Sequence, residues 1–86
     1  MTQIKFSENA WEDYLYFQAT DRKLLPRLNR LIEEASRDPA AGIGRPERLR
    51  GNLSGWWSRR LTDEHRLVYR RNGDVLEIAA CRSHYE

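Results

Sequence analysis

Asn72-Gly73 stands between two runs that alternate apolar and polar residues, "HRLVYRR" and "DVLEIAACR". A two-residue type I′ turn needs positive φ at both central positions, and Asn-Gly suits it better than almost any other pair. The chain therefore predicts an antiparallel hairpin, and the turn sets its register: Arg71 opposite Asp74, Tyr69 opposite Leu76, Leu67 opposite Ile78, His65 opposite Ala80. Alternation then sorts the side chains. Leu67, Tyr69, Leu76 and Ile78 share a face that needs covering. Arg66, Val68 and Arg70, beside Val75, Glu77 and Ala79, share the other.

Upstream, "RLRG" and "GWWSRRL" read as two more strands, with "TDE" as the turn into the hairpin. Trp56 and Trp57 are adjacent and must point to opposite faces. The cover for the apolar face comes from the first half, where the period changes. "TQIKF" reads as a short edge strand. Ser7 reads as an N-cap with Glu8 in the first turn, and Trp11, Tyr14, Leu15 and Gln18 fall at helical spacing to about Ala19. A second helix starts at Asp21 and carries Leu24, Leu28, Leu31, Ile32 and Ala35 along one side. Pro26 lies far enough inside to bend or delay its first turn. "DPAAGIGRPE", with two Pro and two Gly, is a loop. The expected fold is α+β: β-α-α followed by an antiparallel meander, with two helices on one face of a small sheet and the other face open.

Eighty-six residues make one domain, 1–86. A chain of this size buries roughly 60–65% of its unfolded surface, so it has no room for a separate cofactor domain. The single Cys81 excludes an internal disulfide and reads as a buried free thiol. Without an apolar leader or a long hydrophobic run, the expected setting is reducing and cytoplasmic.

The net charge of +2 hides a strong asymmetry. Residues 45–71 hold eight Arg against three Asp or Glu, and thirteen of the fifteen basic residues are Arg. A planar guanidinium stays charged and matches phosphate with a two-pronged fork, so the cluster points to an anionic partner, nucleic acid or an acidic protein segment.

Three kinds of side chain then stand out: Glu47 in "GRPERLRG", the set Arg59, Arg60 and Arg66, and His84 with Tyr85 in "CRSHYE". Together they suit metal-free RNA cleavage, in which the 2′-hydroxyl attacks the adjacent phosphorus. An ionised carboxylate takes its proton, a histidine gives one to the leaving 5′-oxygen, and arginines stabilise the charge that develops. Spacing alone leaves a plainer reading open, with Glu47 solvated and the arginines as ordinary surface charges. His65 reads as a packing or turn residue. Strict alternation would also put His84 on the Leu76 and Ile78 side, away from Arg66. For the tail to reach the site, the strand must end near Arg82 or carry a bulge.

"NLSGWWSRRLTDEHRLVYR", "IAACRSHY" and "SENAWEDYLYFQATD" resemble the YoeB/Txe family of bacterial toxins, within the RelE group, and the likeness spans nearly the whole chain. The resemblance implies a toxin of a type II toxin–antitoxin pair, a ribosome-dependent endoribonuclease that cuts mRNA in the ribosomal A site without metal or other cofactor. By the same resemblance Glu47 is the general base, Arg66 a transition-state contact and His84 the general acid. Arg59, Arg60, Arg50 and Tyr85 would bind substrate. The partners it implies are a YefM/Axe-like antitoxin with an acidic segment, the ribosome with its mRNA, and a second copy in a homodimer. Pro26, Ser83 and Glu86 depart from the family pattern. Two rival classes remain at this point: a non-enzymatic inhibitor on the same fold, like the gyrase-binding ParE toxins, and a plain RNA- or ribosome-binding module.

Overall fold

The computed structural model describes residues 2–83. His84, Tyr85 and Glu86, with the roles the resemblance assigns to them, lie outside the described residues. The elements run β1 (Gln3–Phe6), α1 (Glu8–Thr20), α2 (Leu25–Arg37), β2 (Glu47–Arg48), β3 (Trp57–Arg60), β4 (Arg66–Asn72) and β5 (Val75–Ala80). The strands form one sheet in the order β1-β5-β4-β3-β2. The last four make the expected meander. β1 is indeed an edge strand, and it runs parallel to β5, so the sheet is mixed.

Helix α1 begins where its sequence says, and α2 begins at Leu25, later than the expected Asp21. The Ser7 hydroxyl accepts the Ala10 N–H at 3.0 Å and caps α1. Pro26 delays α2 as expected: Arg22–Leu24 form a 3-10 turn, and α2 proper starts at Leu25 with Pro26 in its first turn. There the missing N–H removes no helical bond. The anticipated stripe on α2 is the buried one, with Leu28, Leu31, Ile32 and Ala35 in the core. On α1 the stripe differs from expectation. Ala10, Asp13 and Phe17 are buried, whereas Trp11 and Leu15 are 49% and 41% exposed. The cause is Asp13, whose carboxylate accepts the buried N–H of Cys81 at 3.0 Å and turns its own side of the helix inward. A polar residue that satisfies a buried donor outweighs the apolar spacing.

The hairpin register is corrected by two residues. Asn72 pairs with Val75 and Tyr69 with Ile78, so Gly73 and Asp74 are the central turn residues. Gly73 has φ +61, at the position that a type II′ turn reserves for glycine. A shift of two leaves side-chain parity unchanged. Leu67, Tyr69, Leu76 and Ile78 therefore still face the helices, and all four are buried. Fully burying an aliphatic or aromatic side chain is worth about 1.5–3 kcal/mol, so these positions fix the sheet against both helices. Beyond Tyr69 the ladder slips: Val68 pairs with Ala80, and Ala79 is the extra residue of a bulge. The strand then stops at Ala80, so both devices expected to redirect the chain are present. "RLRG" is less regular than expected. β2 covers only Glu47 and Arg48, and Gly51–Leu53 form a 3-10 turn.

Candidate active site

The site is built from the segment that enters β2. Gly44 lies so close to α2 and β3 that a Cβ there would meet Leu31 Cδ2 at 2.7 Å, and its carbonyl accepts the Arg60 N–H at 2.6 Å. Arg45 follows in the left-handed region, at φ +51, and Pro46 then sets the chain into β2. This turn puts Glu47 opposite Ser58, and the next strand pair puts Arg60 opposite Arg66. All four therefore share the face away from the helices. Arg45, Pro46, Glu47, Ser58, Arg60 and Arg66 line a cleft of about 290 Å³ there.

Arg66 is held from behind. Its Nη1 donates to the carbonyls of Thr62 at 2.7 Å and Asp63 at 3.1 Å, and its Nε and Nη2 have no acceptor among the described residues. Three guanidinium groups and one carboxylate thus meet around a space able to take a phosphodiester. The Glu47 side chain is exposed and makes no hydrogen bond or ion pair among the described residues. Arg50 is exposed and lines, with Glu47, Arg48 and Leu49, the next hollow along the edge.

Arg59 does not join them. Alternation turns it inward, it is 0% exposed, and its donors are taken up inside the protein. Nε donates to Tyr69 Oη at 2.8 Å, Nη1 to Ile43 O at 2.9 Å, and Nη2 to Asp38 O at 2.7 Å and Ala41 O at 2.6 Å. Tyr69 Oη donates in turn to Pro39 O at 2.6 Å, and burial pushes its phenol pKa up. The expectation that Arg59 binds substrate is thus corrected: a guanidinium sealed from solvent and bonded to loop carbonyls cannot reach a phosphate. Only Arg60 of the Arg-Arg pair faces the cleft. Arg45, in contrast, joins the cleft although no motif in the sequence marks it. It sits between Gly44 and Pro46 and lines the same cleft as Glu47.

The tryptophans split as expected. Trp57 packs against the core, with Arg48 over its ring at 5.3 Å. Trp56 lies on the other face beneath Arg70 at 4.5 Å. Arg70 Nε bonds Glu77 Oε1 at 2.5 Å, and this hydrogen bond holds the Glu77 carboxyl below the usual carboxylate range. Cys81 is buried and its thiol is pushed up to about 12 by desolvation, which leaves it inert. His65 packs edge-on against Phe17 with ring centroids 5.0 Å apart, in keeping with a packing residue. A larger hollow of about 490 Å³ opens on the helix side, among Phe6, Trp11, Tyr14 and Ile32. Among the described residues its walls hold no cation. No helix among the described residues is long and apolar enough to cross a membrane.

Residues 6–85 match the family described as YoeB-like toxin of bacterial type II toxin–antitoxin system. The Toxin YoeB of Escherichia coli K12 is 55% identical over 83 residues, which cover 96% of this chain and 99% of that one. A YoeB/ParE toxin structure from Agrobacterium tumefaciens superposes with a TM-score of 0.94 at 43% identity, covering 98% of this chain and all of the other. YoeB in the heterotetrameric YoeB–YefM toxin–antitoxin complex from Staphylococcus aureus superposes at 0.89 with 44% identity, over 99% of each chain. The α+β fold and the sequence together define a small bacterial toxin. The chain belongs to the YoeB-like toxins of type II toxin–antitoxin systems.

Proposed function

We propose that this toxin is an endoribonuclease that cleaves mRNA in the A site of a translating ribosome. The observation that carries the reading is the convergence of Glu47, Arg45, Arg60 and Arg66 on one cleft, in a chain whose relatives are toxins. Glu47 takes the proton of a ribose 2′-hydroxyl as that oxygen bonds to the neighbouring phosphorus. The three arginines hold the phosphoryl oxygens as negative charge accumulates. His84 donates a proton to the 5′-oxygen as its bond to phosphorus breaks. The products are a 2′,3′-cyclic phosphate and a 5′-hydroxyl, and no step calls on a metal. Tyr85 and Arg50 bind the flanking RNA. An inhibitor that only binds its target needs no such acid–base pair, which favours cleavage over a ParE-like action.

Against the toxin stands an antitoxin of the YefM kind, as in the Staphylococcus complex. Its acidic segment covers the arginines of residues 45–71, so the complex weakens with added salt.

The test is single-turnover cleavage on programmed ribosomes, with mRNA 5′ ends mapped and thermal unfolding followed in parallel. Glu47→Gln and His84→Ala are expected to slow cleavage by roughly 10²–10⁴-fold, the usual worth of a general base or acid. Arg66→Ala is expected to slow it by about 10²–10³-fold, as for loss of one preorganised charge donor. Wild-type rates in the stably folded Glu47→Gln protein would sink the reading.

A further inference from the structure

The last described residue, Ser83, has φ +64, in the left-handed region that a side chain disfavours. A non-glycine residue stays there only where its surroundings hold it. Two bonds do so. The Ser83 N–H donates to Nδ1 of His65 at 2.7 Å, and the Ser83 carbonyl accepts the Arg66 N–H at 3.2 Å. The two residues before it are pinned as well. Cys81 N–H bonds the buried Asp13 carboxylate at 3.0 Å, and the Arg82 guanidinium lies 3.6 Å from the centre of the Tyr16 ring.

His65 is equipped for this. Its side chain is only 14% exposed, its ring is wedged against Phe17, and its own N–H and carbonyl are bonded to Thr62 Oγ1 and to the Leu61 and Thr62 N–H groups. To accept the Ser83 N–H, Nδ1 carries no proton, so the ring hydrogen sits on Nε2, which lies 3.7 Å from Glu64 Oε1.

We propose that His65 is a positioning residue of the toxin: its Nδ1 holds the backbone from which His84 and Tyr85 depart, and so ties the general acid to the strand that carries Arg66. This rests on the acid role assigned to His84 above. A residue that only packs would be replaceable by any side chain of similar shape. A positioning residue needs an acceptor at the place of Nδ1.

Two variants separate these cases. His65→Asn keeps an acceptor, since its side-chain oxygen falls near Nδ1, and His65→Leu fills the space against Phe17 without one. Each is assayed by single-turnover cleavage, thermal unfolding and hydrogen exchange at the Ser83 amide. The expected result is a slow-exchanging Ser83 amide in the wild type and in His65→Asn, and a fast one in His65→Leu. The cleavage rate should fall by roughly 10-fold or more in His65→Leu at saturating ribosomes and stay within a few-fold in His65→Asn, because small misplacements of a reacting group cost about 10²-fold. Equal rates in the two variants, or a Ser83 amide that exchanges alike in all three proteins, would overturn the proposal. His84→Ala, run alongside, distinguishes the two ideas. Should it cleave like wild type, the acid assignment fails by itself, and the Ser83 amide alone decides for or against the His65 anchor.

Discussion

Arg59 shows how one residue can be charged, buried and stable. Its guanidinium meets three loop carbonyls and a tyrosine hydroxyl, so neutral dipoles replace the water it has left. Lysine cannot reproduce that fork. Leucine would remove the charge but strand the carbonyls of Asp38, Ala41 and Ile43. Orphaning a buried polar group costs about 1–3 kcal/mol. Arg59→Leu is therefore expected to lose at least about 3 kcal/mol, and Arg59→Lys a substantial part of that, by denaturant unfolding. A change within 0.5 kcal/mol would show that the arginine is not a structural tie. In sequence, Arg59 and Arg60 look alike. The residue that separates them is Trp57: once it is assigned to the core, strand alternation carries Arg59 inward with it and leaves Arg60 outside. Composition alone cannot make that choice, because a basic cluster suggests one common use for every member.

The loop between α2 and β2 behaves as an element in its own right, since it carries Glu47 into place. Arg59 holds it from below, and Glu34 holds it from the helix, its carboxylate accepting the Ile43 N–H at 2.8 Å. That bond is the main cause of a Glu34 pKa held below its ordinary 4.5, with Arg30 and Arg59 adding to it. A depressed carboxylate stabilises the fold fully above its unfolded value, and the contribution is lost as pH falls through the lower folded value. Acid should thus loosen this loop below about pH 4.5. Glu34→Gln keeps an acceptor for Ile43 but has no charge to titrate, so its stability should fall less between pH 6 and pH 3 than that of the wild type. Identical acid limbs in the two proteins would rule the linkage out. Elements of this kind are the least legible in sequence. Two prolines and two glycines announce a loop in "DPAAGIGRPE", but its course depends on partners in α2 and β3 that periodicity does not reveal. The hairpin lies at the opposite extreme. Its faces follow from parity alone, and they survive a register error of two. The Ala79 bulge had only a geometric motive, the need to bring the tail toward Arg66.

At the scale of the whole molecule, chain order and sheet order disagree. β5 is the last strand in sequence, yet it lies between β1 and β4, and it supplies Leu76 and Ile78 to the core. β1, the first strand, has β5 as its neighbour in the sheet. A chain stopped after Asp74 therefore lacks both a partner for β1 and two of the largest buried side chains. It is expected to show no cooperative thermal transition, and a sigmoidal melt from such a fragment would contradict this. Synthesis runs from the first residue onward, and a domain folds as a unit when its pieces are all available. A nascent copy of this toxin has its cleft arginines before it has the complete sheet to mount them on. A chain that still lacks β5 thus carries the cleft arginines without the arrangement that makes them a site.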